Sequence, residues 1–171
     1  VMNPTDIPDN LTSFYYTNIE IDKKEEKKIK FNKDVMHQSK LINYFDGNYS
    51  KSKVKKNLQN FLKKIKKNKK YFFSKKDQIF LESLKSDGID IPKKYNDFYE
   101  INESEIPSDI QIMINNDEKG AALLRIIEVI GQDNLDRIDD DTLYFIIATL
   151  NQLDIDQIRN KILLKVLPLK V

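Results

Sequence analysis

The chain has 171 residues, 40% apolar and 33% charged, with a formal net charge of +2. That is enough for one domain with a sizeable core, since a chain near this length hides about 70% of its unfolded surface. It holds no cysteine, which excludes disulfides, thiolate metal sites and cysteine nucleophiles and is compatible with either cytoplasm or periplasm. No run of 18 apolar residues occurs, so no bilayer-spanning helix is predicted.

Only four glycines and five prolines interrupt the chain, which favours long helices over a many-turned β-sandwich. The chain opens Val1-Met2-Asn3-Pro4, read as cut from a longer precursor. Residues 1–33 form an irregular N-terminal segment. Pro4, Asp6, Pro8, Asp9 and Asn10 supply turn chemistry, Leu11 to Ile21 fits a short helix or a strand, and Ile29 with Phe31 fits a brief extended piece.

Residues 34–100 read as a lysine-rich helical subdomain. Asp34 is placed as the cap of a helix carrying Val35, Leu41, Ile42 and Phe45, closed at Asp46-Gly47. Lys51 to Lys70 follows, where Val54, Leu58, Phe61, Leu62 and Ile65 draw one apolar stripe on a helix otherwise covered in lysine. Ser74 and Asp77 resemble a capping box, with Asp in place of the usual Glu. The helix they open carries Ile79, Phe80, Leu81 and Leu84 and stops at Asp87-Gly88. Pro92 begins a shorter segment through Tyr95, Phe98 and Tyr99.

Residues 107–171 read as a hydrophobic C-terminal helical subdomain, forming one domain with 34–100. Pro107-Ser108-Asp109 opens a helix with Ile110, Ile112, Met113 and Ile114, and Asp117 opens the next. That next helix, Ala121 to Ile130, is apolar nearly all round, as is Leu143 to Leu150. Helices apolar on every side are buried on every side, so both are expected to be central, with Ile127→Ala and Ile146→Ala each costing about 2–5 kcal/mol. Asp154 is placed as the cap of a last helix, Ile155 to Val166, which ends at Pro168. The expected fold is all-α: an irregular helical bundle, or a short α-solenoid-like array, of about seven helices. No internal period survives residue by residue, so a degenerate helical repeat stays open.

Charge is segregated. Gly47 to Lys76 holds twelve lysines and no acid, whereas residues 77–171 hold nineteen acids against ten bases. Apart from Arg125, Arg137 and Arg159 the basic residues are all lysine, a bias that an AT-rich genome would produce. Three readings of the lysine helix compete: a solvated face, a dock for the chain's own acidic part or an acidic partner, and a surface for nucleic acid or anionic membrane. The first is preferred. Lys51–Lys70 lacks arginine, and its one aromatic, Phe61, lies on the apolar stripe, which counts against specific nucleic-acid recognition.

The candidate interaction residues are Lys55, Lys56, Lys63, Lys64, Lys66 and Lys67, with the triplet Tyr71, Phe72 and Phe73. That triplet serves either as an exposed anchor or, the preferred reading, as a staple closing the corner between two helices. No catalytic motif, phosphate-binding glycine loop or cofactor signature is found. His37, the single histidine, has no second His or Cys beside it and is read as a partly exposed polar side chain rather than a ligand or general base.

The stretch Gly120-Ala-Ala-Leu-Leu-Arg-Ile-Ile-Glu-Val-Ile-Gly-Gln-Asp-Asn-Leu135, continued through Asp141-Thr-Leu-Tyr-Phe145 to Leu164, resembles the C-terminal end of large, uncharacterised α-helical proteins of alphaproteobacteria. The resemblance covers roughly residues 107–171. It implies a bacterial origin and a helical C-terminal module of a longer protein, and no activity. The expected function is therefore non-catalytic: a protein–protein interaction or scaffold module, its partner another protein or the rest of the same polypeptide. The alternative is an anionic-surface binder acting through the lysine helix.

The acids Asp133, Asp136, Asp139, Asp140 and Asp141 invite comparison with a calcium loop, which needs Gly at its sixth position and Glu at its twelfth. Counted from Asp133 those positions hold Ile138 and Tyr144. The acids are better placed at the positive end of the following helix. Calorimetric titration with calcium should show no stoichiometric micromolar binding; such binding would overturn this reading.

Overall fold

The computed structural model describes residues 29–98, 106–131 and 135–170. Expectations placed on residues 1–28, and on Tyr99 and Asp133, lie outside the described residues. The body from Lys30 to Leu169 is all-α, with six α-helices among the described residues. They are α1 (Lys51–Lys67), α2 (Lys75–Ser86), α3 (Ser108–Asn115), α4 (Lys119–Ile130), α5 (Asp140–Gln152) and α6 (Asp156–Val166). Short 3-10 segments join them, and the two-residue strands β1 (Ile29–Lys30) and β2 (Leu169–Lys170) pair with each other.

The expected helix capped by Asp34 is instead two 3-10 turns, Met36–Gln38 and Lys40–Tyr44. Ser39 divides them: its Oγ donates to the Met36 carbonyl at 2.7 Å and accepts from the Leu41 amide at 3.3 Å. A side chain that satisfies the backbone on both sides removes the reason to wind a continuous α-helix. The lysine helix forms as its spacing predicts. Ser50 caps it through the Lys53 amide, and Val54, Leu58, Leu62 and Ile65 are its buried face. In α2 the Ser74–Asp77 capping box is complete, each side chain accepting from the other's backbone N–H.

The core is built on α2 and α5, which pack side by side and run in the same direction. Lys75 and Lys76 at the start of α2 meet Asp141 and Asp140 at the start of α5. At the far ends, Asp87 and Asn151 share one arginine. The parallel arrangement is open to them because they are not consecutive: the hairpin α3–α4 lies in the connection. Leu143, Tyr144, Ile146, Ile147, Thr149 and Leu150 are buried, so α5 is central, as its all-round apolar sequence implies. Around the pair, α1 packs antiparallel to α2, with Lys51 Nζ donating to the Asp87 carbonyl at 2.8 Å, and α6 turns back along α5.

Three helices end in the same way. After α2 the Gly88 amide bonds the Lys85 carbonyl and the Ile89 amide bonds that of Leu84, with Gly88 at φ 76°. After α3 and α5 the same pair of bonds is made with Asp117 (φ 58°) and Asp154 (φ 55°) in the left-handed position. These two aspartates therefore terminate the preceding helix rather than cap the next one, a correction to the roles expected of them. Among residues with a Cβ, Asp tolerates this conformation better than most because its short polar side chain bonds locally.

The expectation that α4 is buried on every side is also corrected. Its inner face, Ala122 and Ile126, is buried, but Leu124 is 64% and Ile127 61% exposed. The hairpin is held by a small separate cluster of Ile106, Ile110, Ala122 and Leu153 and, through Ile126, Leu123 and Ile130, by the main core; no described element covers its other side. Burial of an apolar helix needs partners on all sides, and here they exist on one. Ile146→Ala should thus cost about 2–5 kcal/mol, while Ile127→Ala should stay within about 0.5 kcal/mol. Urea denaturation of both variants tests this; equal losses would show that α4 is buried after all.

Candidate functional site

The predicted interaction residues divide by what surrounds them. Lys55 reaches Asp90 at 3.3 Å, and the Lys66 ammonium lies 6.0 Å from the Tyr95 ring centre. Lys56, Lys63, Lys64 and Lys67 are exposed, and none forms a salt bridge with another described residue. In the aromatic triplet, Tyr71 and Phe73 are half-buried against the core, which is the staple, while Phe72 is 84% exposed. The staple thus comprises Tyr71 and Phe73, and Phe72 is the exposed member of the triplet.

His37 is not partly exposed. It is buried beside Asp77, with Nδ1 2.8 Å from Oδ1. The His37 amide donates to the same oxygen at 3.1 Å. On the other oxygen, Tyr71 Oη donates at 2.8 Å and the Ser74 amide at 3.3 Å. Four donors fill the lone-pair sites of one carboxylate, and the Nδ1 contact requires that nitrogen to carry the proton. Tyr71 Oη in turn accepts from the Met36 amide at 3.1 Å. The sequence signal for this node was the capping box alone. The shorter Asp at that position holds the carboxylate close to the helix start, where His37 and Tyr71 converge; no local pattern announces a partner 40 residues away.

Burial alone would raise the Asp77 carboxyl. The hydrogen bond and field of the His37 imidazole, the His37 amide and the Tyr71 hydroxyl outweigh it and hold the group below its ordinary value. Tyr71 is raised, first by burial and then, against the pull of the Met36 amide, by the adjacent Asp77 charge. Ser39, the nearest hydroxyl in sequence, spends both its functions on the backbone of residues 36 and 41. The arrangement braces the fold: it ties the 3-10 turn, the aromatic corner and the start of α2 to one anion.

The acids before α5 have separate tasks. Asp139 caps the helix, accepting from the Asp141 and Thr142 amides and the Thr142 hydroxyl, and these bonds, led by the Thr142 amide, hold its carboxyl low. Asp140 and Asp141 face lysines of α2. Among the described residues no group of three His, Cys, Asp or Glu could hold a metal ion, and no helix is long and apolar enough to cross a membrane.

Two surfaces stand out. On the hairpin, Leu124 and Ile127 lie three residues apart on one face of α4, and Ile112 of α3 is 59% exposed. Asp109, Asp117, Glu118 and Glu128 accompany them, against Lys119 and Arg125, and Arg125 bridges Asp109 at 3.0 Å and Glu128 at 2.9 Å. At the corner between α1 and α2, Phe72 projects from a segment, residues 63–76, with eight lysines and no acid. The corner adjoins the start of α5 through Lys75 and Asp141. The hairpin adjoins its end through Gln111 and Gln152, 3.4 Å apart. Asp141 and Gln152 are 11 residues apart on α5, which puts about 17 Å between those two contact points. The uncovered hairpin face was not legible because composition records apolarity and not the neighbour that would cover it.

The Asp77 node makes a pH-dependent contribution with a defined sign. The native carboxyl titrates below its ordinary value of 3.8, so its stabilisation is present above that value and lost as the pH falls through the native one. Asp77→Ala should destabilise the neutral protein by about 2–4 kcal/mol, because buried donors lose a charged acceptor. Asp77→Asn should flatten the loss of stability as the pH falls below 3.8. Acid titrations followed by circular dichroism test both, and an unchanged acid slope in Asp77→Asn would remove the node from the pH dependence. No protein-family model, curated protein or solved structure matches the chain.

Proposed function

We propose that the chain is a non-catalytic helical protein–protein interaction or scaffold module, within the longer bacterial protein that the sequence resemblance implies, and that its partner is a second copy docked head to tail. The observation that carries this reading is the pair of uncovered, complementary surfaces on one body. The hairpin offers Leu124 and Ile127 on one face of α4 and an exposed Ile112 on α3, in a segment rich in carboxylates, and the corner offers Phe72 in a segment rich in lysine. Exposed large aliphatics grouped on a folded surface mark interaction sites, and opposite charge around them steers encounter and fixes register. The two surfaces adjoin opposite ends of α5, so a molecule does not cover one with the other. Contact between two different surfaces is heterologous, and it propagates as a ring or an open array. With few apolar anchors on each side the contact is of the small, transient kind.

Sedimentation velocity on two surface variants tests the proposal. Phe72→Glu removes the corner, and Leu124→Lys with Ile127→Lys removes the hairpin face. The unmodified chain should self-associate with increasing concentration, less so at high salt. Each variant alone should be monomeric, and the two mixed should form a one-to-one dimer, because each retains the surface the other lacks. A monomeric mixture, or undiminished association of either variant, would overturn the head-to-tail reading. Sub-micromolar binding of DNA or anionic liposomes at physiological salt, abolished by changing Lys63, Lys64, Lys66 and Lys67 to Gln, would assign the lysine helix to anionic surfaces instead.

A further inference from the structure

On a different side of α1 the lysines do something else. Asn57, Asn60, Phe61 and Lys64 recur at the spacing of one helix face and form one wall of a cleft of about 270 Å³. Lys40 of the second 3-10 turn and Lys33 before the first close it from the other side, and Tyr49 completes it. The lining therefore includes three lysines and no carboxylate. Lys33, Lys40 and Lys64, like most lysines of α1, make no salt bridge with any described residue, whereas Lys55, Lys75 and Lys76 have acid partners. Like charges drawn to one concave site repel one another until an anion arrives, and a concave wall strengthens their combined field.

The rest of the lining says what else the anion should carry. Tyr49 and Phe61 present ring surface. Each is braced: the Lys53 ammonium sits 3.8 Å from the centre of the Tyr49 ring, and Phe61 packs edge-to-face on Tyr71 at 6.3 Å. Asn57 and Asn60 supply amides that both donate and accept, the chemistry that reads the edge of a heterocycle or a sugar hydroxyl. The volume lies just below the roughly 300–1,000 Å³ of drug-sized pockets, which suits one ring and one phosphate. We infer that this cleft binds a small phosphate monoester carrying one aromatic ring system, of the size of a nucleoside monophosphate, with Lys33, Lys40 and Lys64 on the phosphate and Tyr49 and Phe61 against the aromatic ring. The cleft shares only Lys64 with the basic corner of the head-to-tail contact; Tyr49 and the asparagines belong to the cleft alone.

Isothermal titration of the full chain with adenosine monophosphate at low ionic strength tests it. Saturable one-to-one binding is expected, at least tenfold weaker for adenosine and for inorganic phosphate, each of which lacks half of the ligand. Lys33→Gln, Lys40→Gln and Lys64→Gln should each weaken it several-fold. Lys63→Gln, the adjacent lysine that does not line the cleft, should leave it unchanged. Equal weakening by Lys63→Gln and Lys64→Gln would reduce the effect to general attraction by a basic helix and overturn the site. So would an absence of saturation at millimolar ligand, or a phosphorylated oligonucleotide binding more tightly in proportion to its length.

Discussion

A guanidinium with no solvent contact is tolerated only where its N–H groups meet acceptors, and Arg159, 0% exposed, imposes that condition on the body. Its Nη2 donates to Asp87 at 2.8 Å and Nη1 to Asn151 at 3.0 Å, while Nε donates to Asn160 at 3.0 Å and Asp156 lies 3.0 Å from Nη1. The planar group also lies 5.8 Å from the Phe45 ring centre. One side chain of α6 thereby fixes the end of α2, the last turn of α5 and the second 3-10 turn. Tyr44 belongs to the same node: burial, and then the Asp87 charge that its hydroxyl bonds, push its pKa up to about 12. In a chain whose basic residues are nearly all lysine, arginine is kept here because a compact ammonium cannot satisfy several acceptors in one plane.

The Asp77 node does at the start of α2 what Arg159 does at its end. One is a buried anion filled by donors and the other a buried cation filled by acceptors, so the central helix is pinned at both termini by groups that tolerate little displacement. Between them, Gln78 and Tyr144 join α2 to α5 at 3.2 Å, and Tyr144 Oη donates to Glu82 at 2.6–2.7 Å. Removing one partner from such a node leaves an uncompensated buried group, which gives these contacts their hold over the geometry.

With the central pair fixed, the surface follows. Lys55, Lys75 and Lys76 are engaged with acids, most lysines of α1 face outward, and Lys33, Lys40 and Lys64 line the cleft beside the 3-10 turns. The acidic hairpin, attached by a small apolar cluster, keeps its outer aliphatic residues bare. Charge segregation along the sequence thus becomes charge segregation in space, which is the physical basis for both the association and the ligand site proposed above.

The sequence by itself determined the helices whose ends and stripes are local: α1 from its 3.6-residue spacing, α2 from its capping box and Gly88, α5 from its acids and continuous apolar run. Those signals act within a turn or two of the chain, so they survive without knowledge of neighbours. Tertiary structure alone decided the rest. It paired His37 with Asp77 across 40 residues, buried Arg159, and gave Asp117 and Asp154 left-handed terminating roles where a capping role was expected. It also left Leu124 and Ile127 uncovered in a segment whose composition predicts full burial. The physical reason is common to all four: burial and ionic partnership are properties of what packs against a residue, and a sequence window contains only one side of that contact.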